Sequence, residues 1–183
     1  MSAAGVADPQ YTSYLAWARA LDAFWRARYA EAIREATSAA DTISYFEPIA
    51  LPIAARAALW ARDIETARSL LDRLEHIVWA GQALDLDRLT IRAGLAALKD
   101  RRIEAVAAYR DALRGWRQLG LPFDEAVAAV ELATLLDPTE REMAEAPAVI
   151  AAARQTLERL GAAPYLARLD EASSGVTREI PAG

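Results

Sequence analysis

Residues 97–122 read ALKDRRIEAVAAYRDALRGWRQLGLP, and the way this stretch divides decides the fold. Asp100-Arg101-Arg102 interrupts two Ala/Leu-rich helical segments. Leu119-Gly120-Leu121-Pro122 ends the second with a glycine stop and a following proline. The same punctuation returns in Leu160-Gly161-Ala162-Ala163-Pro164, with its glycine 41 residues further on. That distance is roughly one helical hairpin and its connection, so the stretch reads as one unit of an array.

Upstream turns overlay on this one by their chemistry. ARYAEA (Ala27–Ala32) and ARDIETA (Ala61–Ala67) each set a bulky residue, Tyr29 or Ile64, three positions before a small one, Ala32 or Ala67. The two turns lie 35 residues apart, as do Trp25 and Trp60, each four residues before the bulky turn residue. In DRRIEAVAAY, Ile103 precedes Ala105 by two positions, with Tyr109 and Ala112 continuing the inward face, so this turn reads as one residue longer.

The pattern predicts helices over about 8–26, 28–43, 48–61, 63–80, 83–99, 101–119, 122–136, 147–160 and 164–173. Pro48, Pro122, Pro147 and Pro164 suit first-turn positions, where a missing amide hydrogen costs little. Pro52 either moves its helix start to about Leu51 or kinks the first turn. Residues 1–7 are expected to be flexible, 8–173 to form one helical-repeat domain, and 174–183 to be a disordered tail, the stretch from Ser173 mixing Ser, Gly, Thr and Pro without periodicity.

Composition agrees with close-packed helices: 44 of 183 residues are alanine. Arginine supplies 20 of the 21 basic residues, Lys99 being the one lysine, a bias read as genomic. A net charge of −5 argues against nucleic acid as a partner. The absence of cysteine removes disulfides, thiol nucleophiles and zinc–thiolate sites. No apolar run approaches 18 residues and the first ten are not signal-like, so the expectation is a cytoplasmic chain without a membrane span.

A helix–turn–helix unit of about 34 residues, with small residues where paired helices touch and a bulky one at the turn, resembles the tetratricopeptide repeat. Ala32, Ala67 and Ala105 take the small position opening each second helix. Ala36, Ala39 and Ala112 continue it, and Ala20, Ala55 and Ala93 stand where the family prefers glycine. Leu71 and Leu74 depart from the pattern, and the fourth hairpin has no clear turn match. Residues 93–172 are also similar to the C-terminal end of helical-repeat regions in bacterial adenylate/guanylate cyclase-type proteins and ATP-dependent transcriptional regulators. The resemblance implies an all-α, right-handed α-solenoid of about four hairpins plus a C-terminal capping helix, acting as a sensor or docking arm. The catalytic parts of such proteins are not matched: there is no GxxxxGK[ST] loop.

Catalytic chemistry has little to use. His76, the one histidine, has Asp72 four residues before it, which orients the ring or makes a surface pair. There is no HExxH, and a lone histidine is not a metal site. Asp85/Asp87 and Glu140/Glu142 read as charges favoured near helix starts rather than an acid/base pair. Arg110, Arg114 and Arg117 form a stripe that suits an acidic peptide or phosphate, with a solvated helix face as the simpler reading. No cofactor, metal or catalytic residue is expected.

By the resemblance, first helices line a concave groove, which makes Tyr14, Trp17, Leu21, Trp25, Arg56, Trp60 and Thr90, with Gly94, its candidate lining. Core packing is the better reading of Trp25 and Trp60; Trp79 and Trp116 are expected to cover the convex layer. The expected function is non-catalytic binding of a protein or peptide, including another domain of a larger parent, with apolar groove contacts and Arg56 as a carboxylate anchor. The alternative is an arm that senses a small-molecule inducer in a closed cavity and regulates an attached ATPase or nucleotide cyclase. A homodimer through the N-terminal helix, using Tyr11, Tyr14 and Leu15, is a third expectation.

Overall fold

A computed structural model describes residues 8–78, 81–139 and 141–176. Among them the chain is all-α, with no strand, and it divides into two compact units, Met1–Ala80 and Gly81–Gly183. Expectations for residues 1–7 and 177–183, for Trp79 and for Glu140 lie outside the described residues.

In the first unit α1 (Pro9–Trp25) and α2 (Tyr29–Thr42) form one hairpin, and α3 (Glu47–Trp60) and α4 (Ile64–His76) the next. Asp8 caps α1 by accepting from the Gln10 amide at 2.9 Å, and Pro9 fills the first helical position. Asp63 does the same for α4, accepting from the Thr66 amide at 3.1 Å. A 3-10 turn over Ser44–Phe46 leads into α3. That helix starts at Glu47 and runs through Pro52, so the proline does not shift its start to Leu51.

The core of this unit is small-residue contact closed by aromatics. Ala20, Ala32, Ala55 and Ala67 are all fully buried, which lets paired helices approach closely. Phe24, Tyr29 and Trp60 form one cluster, with Phe24 and Tyr29 rings 4.8 and 6.2 Å from the Trp60 ring. At the other end Tyr14 stands edge-on to Phe46 at 4.9 Å. These contacts pair the amino ends of α1 and α3 and then their carboxyl ends, so the two helices run side by side in one direction.

The second unit contains α5 (Gln82–Leu98), α6 (Arg102–Leu119), α7 (Pro122–Glu131), α8 (Ala146–Leu160) and α9 (Ala163–Val176). Helix α7 continues into a π-helical turn, Leu132–Leu136, which ends at Asp137 with φ 47°. Tyr109, Trp116, Leu132, Met143, Leu157 and Leu169 fill its core. The Trp116 indole donates to the Thr90 hydroxyl at 3.1 Å, and that hydroxyl donates to the Leu86 carbonyl at 2.7 Å. Helix α9 reaches Val176, so residues 174–176, expected in the tail, are helical.

Five helix ends share one geometry. Ala27, Arg62, Asp100, Gly120 and Gly161 all have φ between 55° and 68°. In each, that residue's amide bonds three residues back and the next amide five back: Ala27 to Phe24 and Arg28 to Ala23, for instance. This is the Schellman closure of a helix carboxyl end. It corrects the reading of the third turn. Ala27, Arg62 and Asp100 each lie five residues before the buried Ala32, Ala67 and Ala105, so the three turns have equal length. The bulky turn position belongs to Arg102, and Ile103 is 90% exposed.

Candidate functional site

Equal turns give a reliable register: first-hairpin residues map onto the second hairpin by adding 35, and the map sorts the faces of α1. Its inward face, Ala16, Ala20, Ala23 and Phe24, corresponds to Leu51, Ala55, Ala58 and Leu59, and all eight are buried. Two neighbouring positions stay open in both hairpins: Tyr14 corresponds to the exposed Ile49, and Leu21, like Arg56, is half-buried. Trp17 is half-buried beside Tyr14, their rings 6.5 Å apart, and Ile53 lies between Ile49 and Arg56.

Of the predicted lining, Tyr14, Trp17, Leu21 and Arg56 thus fall on one open stripe along α1 and α3. Ile49 and Ile53 join them; sequence reasoning missed both, although their spacing to Arg56 is the i, i+4, i+7 signal of one helix face. The stripe is apolar with one guanidinium. The Trp17 indole nitrogen is buried without a hydrogen-bond partner.

Three predicted residues do not line this strip. Trp60 is 6% exposed because the first hairpin's Phe24 and Tyr29 cover it. Thr90 is fully buried, its hydroxyl holding Trp116, and Gly94 is buried on the same helix. Trp25, expected to be core, is 44% exposed at the edge of the strip. The two tryptophans share a repeat position but not an environment.

The charged features resolve into structural pairs. Arg110 bonds the Glu145 carboxylate and, at 3.0 Å, the Glu142 carbonyl. Arg114 pairs with Asp111 at 3.2 Å and Arg117 with Glu125 at 2.6 Å, so the arginine stripe is a neutralised helix face. Arg102 grips Glu142 with two bonds of 2.6 and 2.8 Å and reaches the Leu136 carbonyl at 3.1 Å. Glu142 also accepts from the Thr139 amide at 2.8 Å and hydroxyl at 2.9 Å. It therefore stands away from the start of α8 and clasps the connection after α7, which corrects its expected place at a helix start. The Arg102 guanidinium, then the Thr139 donors, hold the Glu142 carboxyl down at about 2. Asp85 lies in the first turn of α5, paired with Arg88 at 2.8 Å.

His76 is exposed, and its Nδ1 lies 2.6 Å from the Asp72 carbonyl rather than the carboxylate. Among the described residues no three His, Cys, Asp or Glu side chains cluster to hold a metal, and no helix is long and apolar enough to cross a membrane. Within the second unit, α5 and α6 border an open cavity of about 470 Å³, with Leu86, Leu89 and Leu119 beside Gln82, Asp85 and Gln118. No protein-family model, curated protein or solved structure matches the chain.

Proposed function

We propose that the chain is a non-catalytic, tetratricopeptide-like binding module: a right-handed solenoid of about four hairpins closed by α9, whose α1–α3 strip takes a segment of a protein or peptide partner in a bacterial signalling assembly. The observation that carries this reading is the repeated opening of the strip. Tyr14 and Ile49 are 49% and 42% exposed at positions 35 residues apart, so each keeps a large apolar side chain partly in solvent, Tyr14 with one edge packed on Phe46. A row of large apolar side chains is suited to the apolar face of a short helix or extended peptide.

The test is capture of partners from lysate of the source cells by wild type and by Leu21→Glu and Ile53→Glu, each checked for native helicity. A partner retained by wild type and lost from both variants is the expected result. Equal retention by all three removes the strip from the function.

A second reading, an effector-sensing arm, draws on the cavity bordered by α5 and α6, which is open rather than closed as expected but has a volume within the range of small-molecule sites. Leu89→Trp, which fills it, is expected to leave capture by the α1–α3 strip unchanged under the first reading. Loss of effector-dependent stabilisation in that variant is the signature of the second.

A further inference from the structure

Among the described residues six have a left-handed backbone, and Asp137 is the one that ends its helix differently. At the other five the left-handed amide bonds three residues back and the next amide five back. The Asp137 amide itself reaches five back, to the Leu132 carbonyl at 3.0 Å, which winds Leu132–Leu136 into the π-helical turn. The sequence explains why the common closure fails here. The next residue is Pro138, which has no amide hydrogen to bond five back, so the last carbonyls of the helix need another donor. Arg102 supplies it, donating to the Leu136 carbonyl at 3.1 Å and the Asp137 carbonyl at 3.3 Å while it grips Glu142.

Two costs are concentrated at this turn. π-Helical winding is rare, and nothing in Leu-Ala-Thr-Leu-Leu asks for it, since leucine and alanine favour the ordinary α-helix. Asp137 holds φ 47° with a Cβ, directly before a proline that favours extended backbone at that position. An alternative is close at hand. The buried Leu132, Leu135 and Leu136 stand at i, i+3 and i+4, one face of an α-helix, so rewinding keeps them on one face. We propose that Leu132–Asp137 is a two-state joint, latched as a π-turn by Arg102 and released as a regular α-helix with Asp137 extended. The turn packs against α5, α6 and α9, so a change of winding reaches three helices. Drawing the Arg102 guanidinium away favours release, which makes the amino end of α6 the input. The joint lies in the second unit and does not depend on the α1–α3 strip being a partner surface.

Carbon and nitrogen NMR relaxation dispersion on the full chain, read at Leu132–Asp137, tests the joint. Wild type is expected to exchange with a minor state of about 0.1–10%, whose carbon shifts are α-helical over 133–136 and extended at Asp137. Asp137→Gly and Asp137→Val remove the same carboxylate, so their difference reports the backbone alone. Glycine, free to hold the left-handed turn, is expected to lower the minor population roughly fivefold, and valine, which resists it, to raise it roughly fivefold. Arg102→Gln, which takes the charge off the latch, is expected to raise it roughly tenfold. Flat dispersion in both wild type and Arg102→Gln overturns the proposal. So do random-coil shifts over 133–136 in the minor state, the mark of simple fraying, or a population that the two Asp137 variants move in the same direction.

Discussion

Trp25 and Trp60 show how one side chain at one repeat position acquires two roles. Trp60 closes a cluster with Phe24 and Tyr29, so Trp60→Ala opens a cavity and is expected to cost about 3–5 kcal/mol in urea denaturation. Trp25→Ala, at the edge of the strip, is expected to change the same midpoint by less than about 1 kcal/mol. Equal losses for the two would mean that Trp25 is core after all. Thr90 is a similar case. Thr90→Val leaves the buried Trp116 indole without its acceptor, at an expected cost of about 1–3 kcal/mol. Glu142 makes the stability of the connection after α7 depend on acid. Its folded carboxyl is lowered to about 2 from an ordinary 4.5, so the clasp contributes fully above about pH 4.5 and is lost as pH falls through about 2. Amide exchange at Met143, whose amide bonds the Thr139 carbonyl at 3.0 Å, reads this directly. Its protection is expected to hold down to about pH 4.5 and to decline below it, and Arg102→Ala is expected to remove it already at neutral pH. Protection unaffected by Arg102→Ala would show that the connection is held by something other than the clasp.

At the scale of elements, the helices were legible in the sequence and the geometry of their ends only partly so. Gly120 and Gly161 announce a left-handed residue, and both stops stand where glycine and proline placed them. Ala27, Arg62 and Asp100 adopt the same conformation without glycine; alanine and arginine give no sign of it, and a lone aspartate, though it tolerates the left-handed region, gives only a faint one. The faintness of that signal is why the third turn read as one residue too long: Ile103 is the apolar residue that the pattern selects, but the turn counts from Asp100 and gives its turn position to the half-buried Arg102. A left-handed residue with a Cβ costs about 1–2 kcal/mol, part of which glycine returns through its looser unfolded chain. Ala27→Gly is therefore expected to raise stability by about 0.5–1 kcal/mol. Gly161→Ala, with nothing within 4 Å of the added carbon, is expected to lower it by about 1 kcal/mol through backbone strain alone. Thermal unfolding of the two single variants measures both. A destabilised Ala27→Gly would contradict the common turn geometry.

For the whole molecule, the candidate site was legible in part. The resemblance, which puts first helices along a groove, collected Tyr14, Trp17, Leu21 and Arg56, and the fold leaves these four exposed or half-buried on α1 and α3. It could not separate Trp25 from Trp60, or remove Thr90, because burial depends on what the neighbouring hairpin covers. Ile49 and Ile53 escaped notice for the converse reason: an isoleucine in an Ala/Leu-rich helix reads as core until the fold shows it open. The register between hairpins then divides α1 into three faces, one buried, one open in both hairpins and one open in the first alone. The account rests on the second of these being a partner surface. The most direct measurement is site-specific photocross-linking in the source cells, with the photoreactive residue at Ile53 and, as reference, at Ala151. The account predicts a defined polypeptide adduct from Ile53 that disappears when Leu21→Glu is combined with it. The same adducts from both positions, or an Ile53 adduct unaffected by Leu21→Glu, would contradict it.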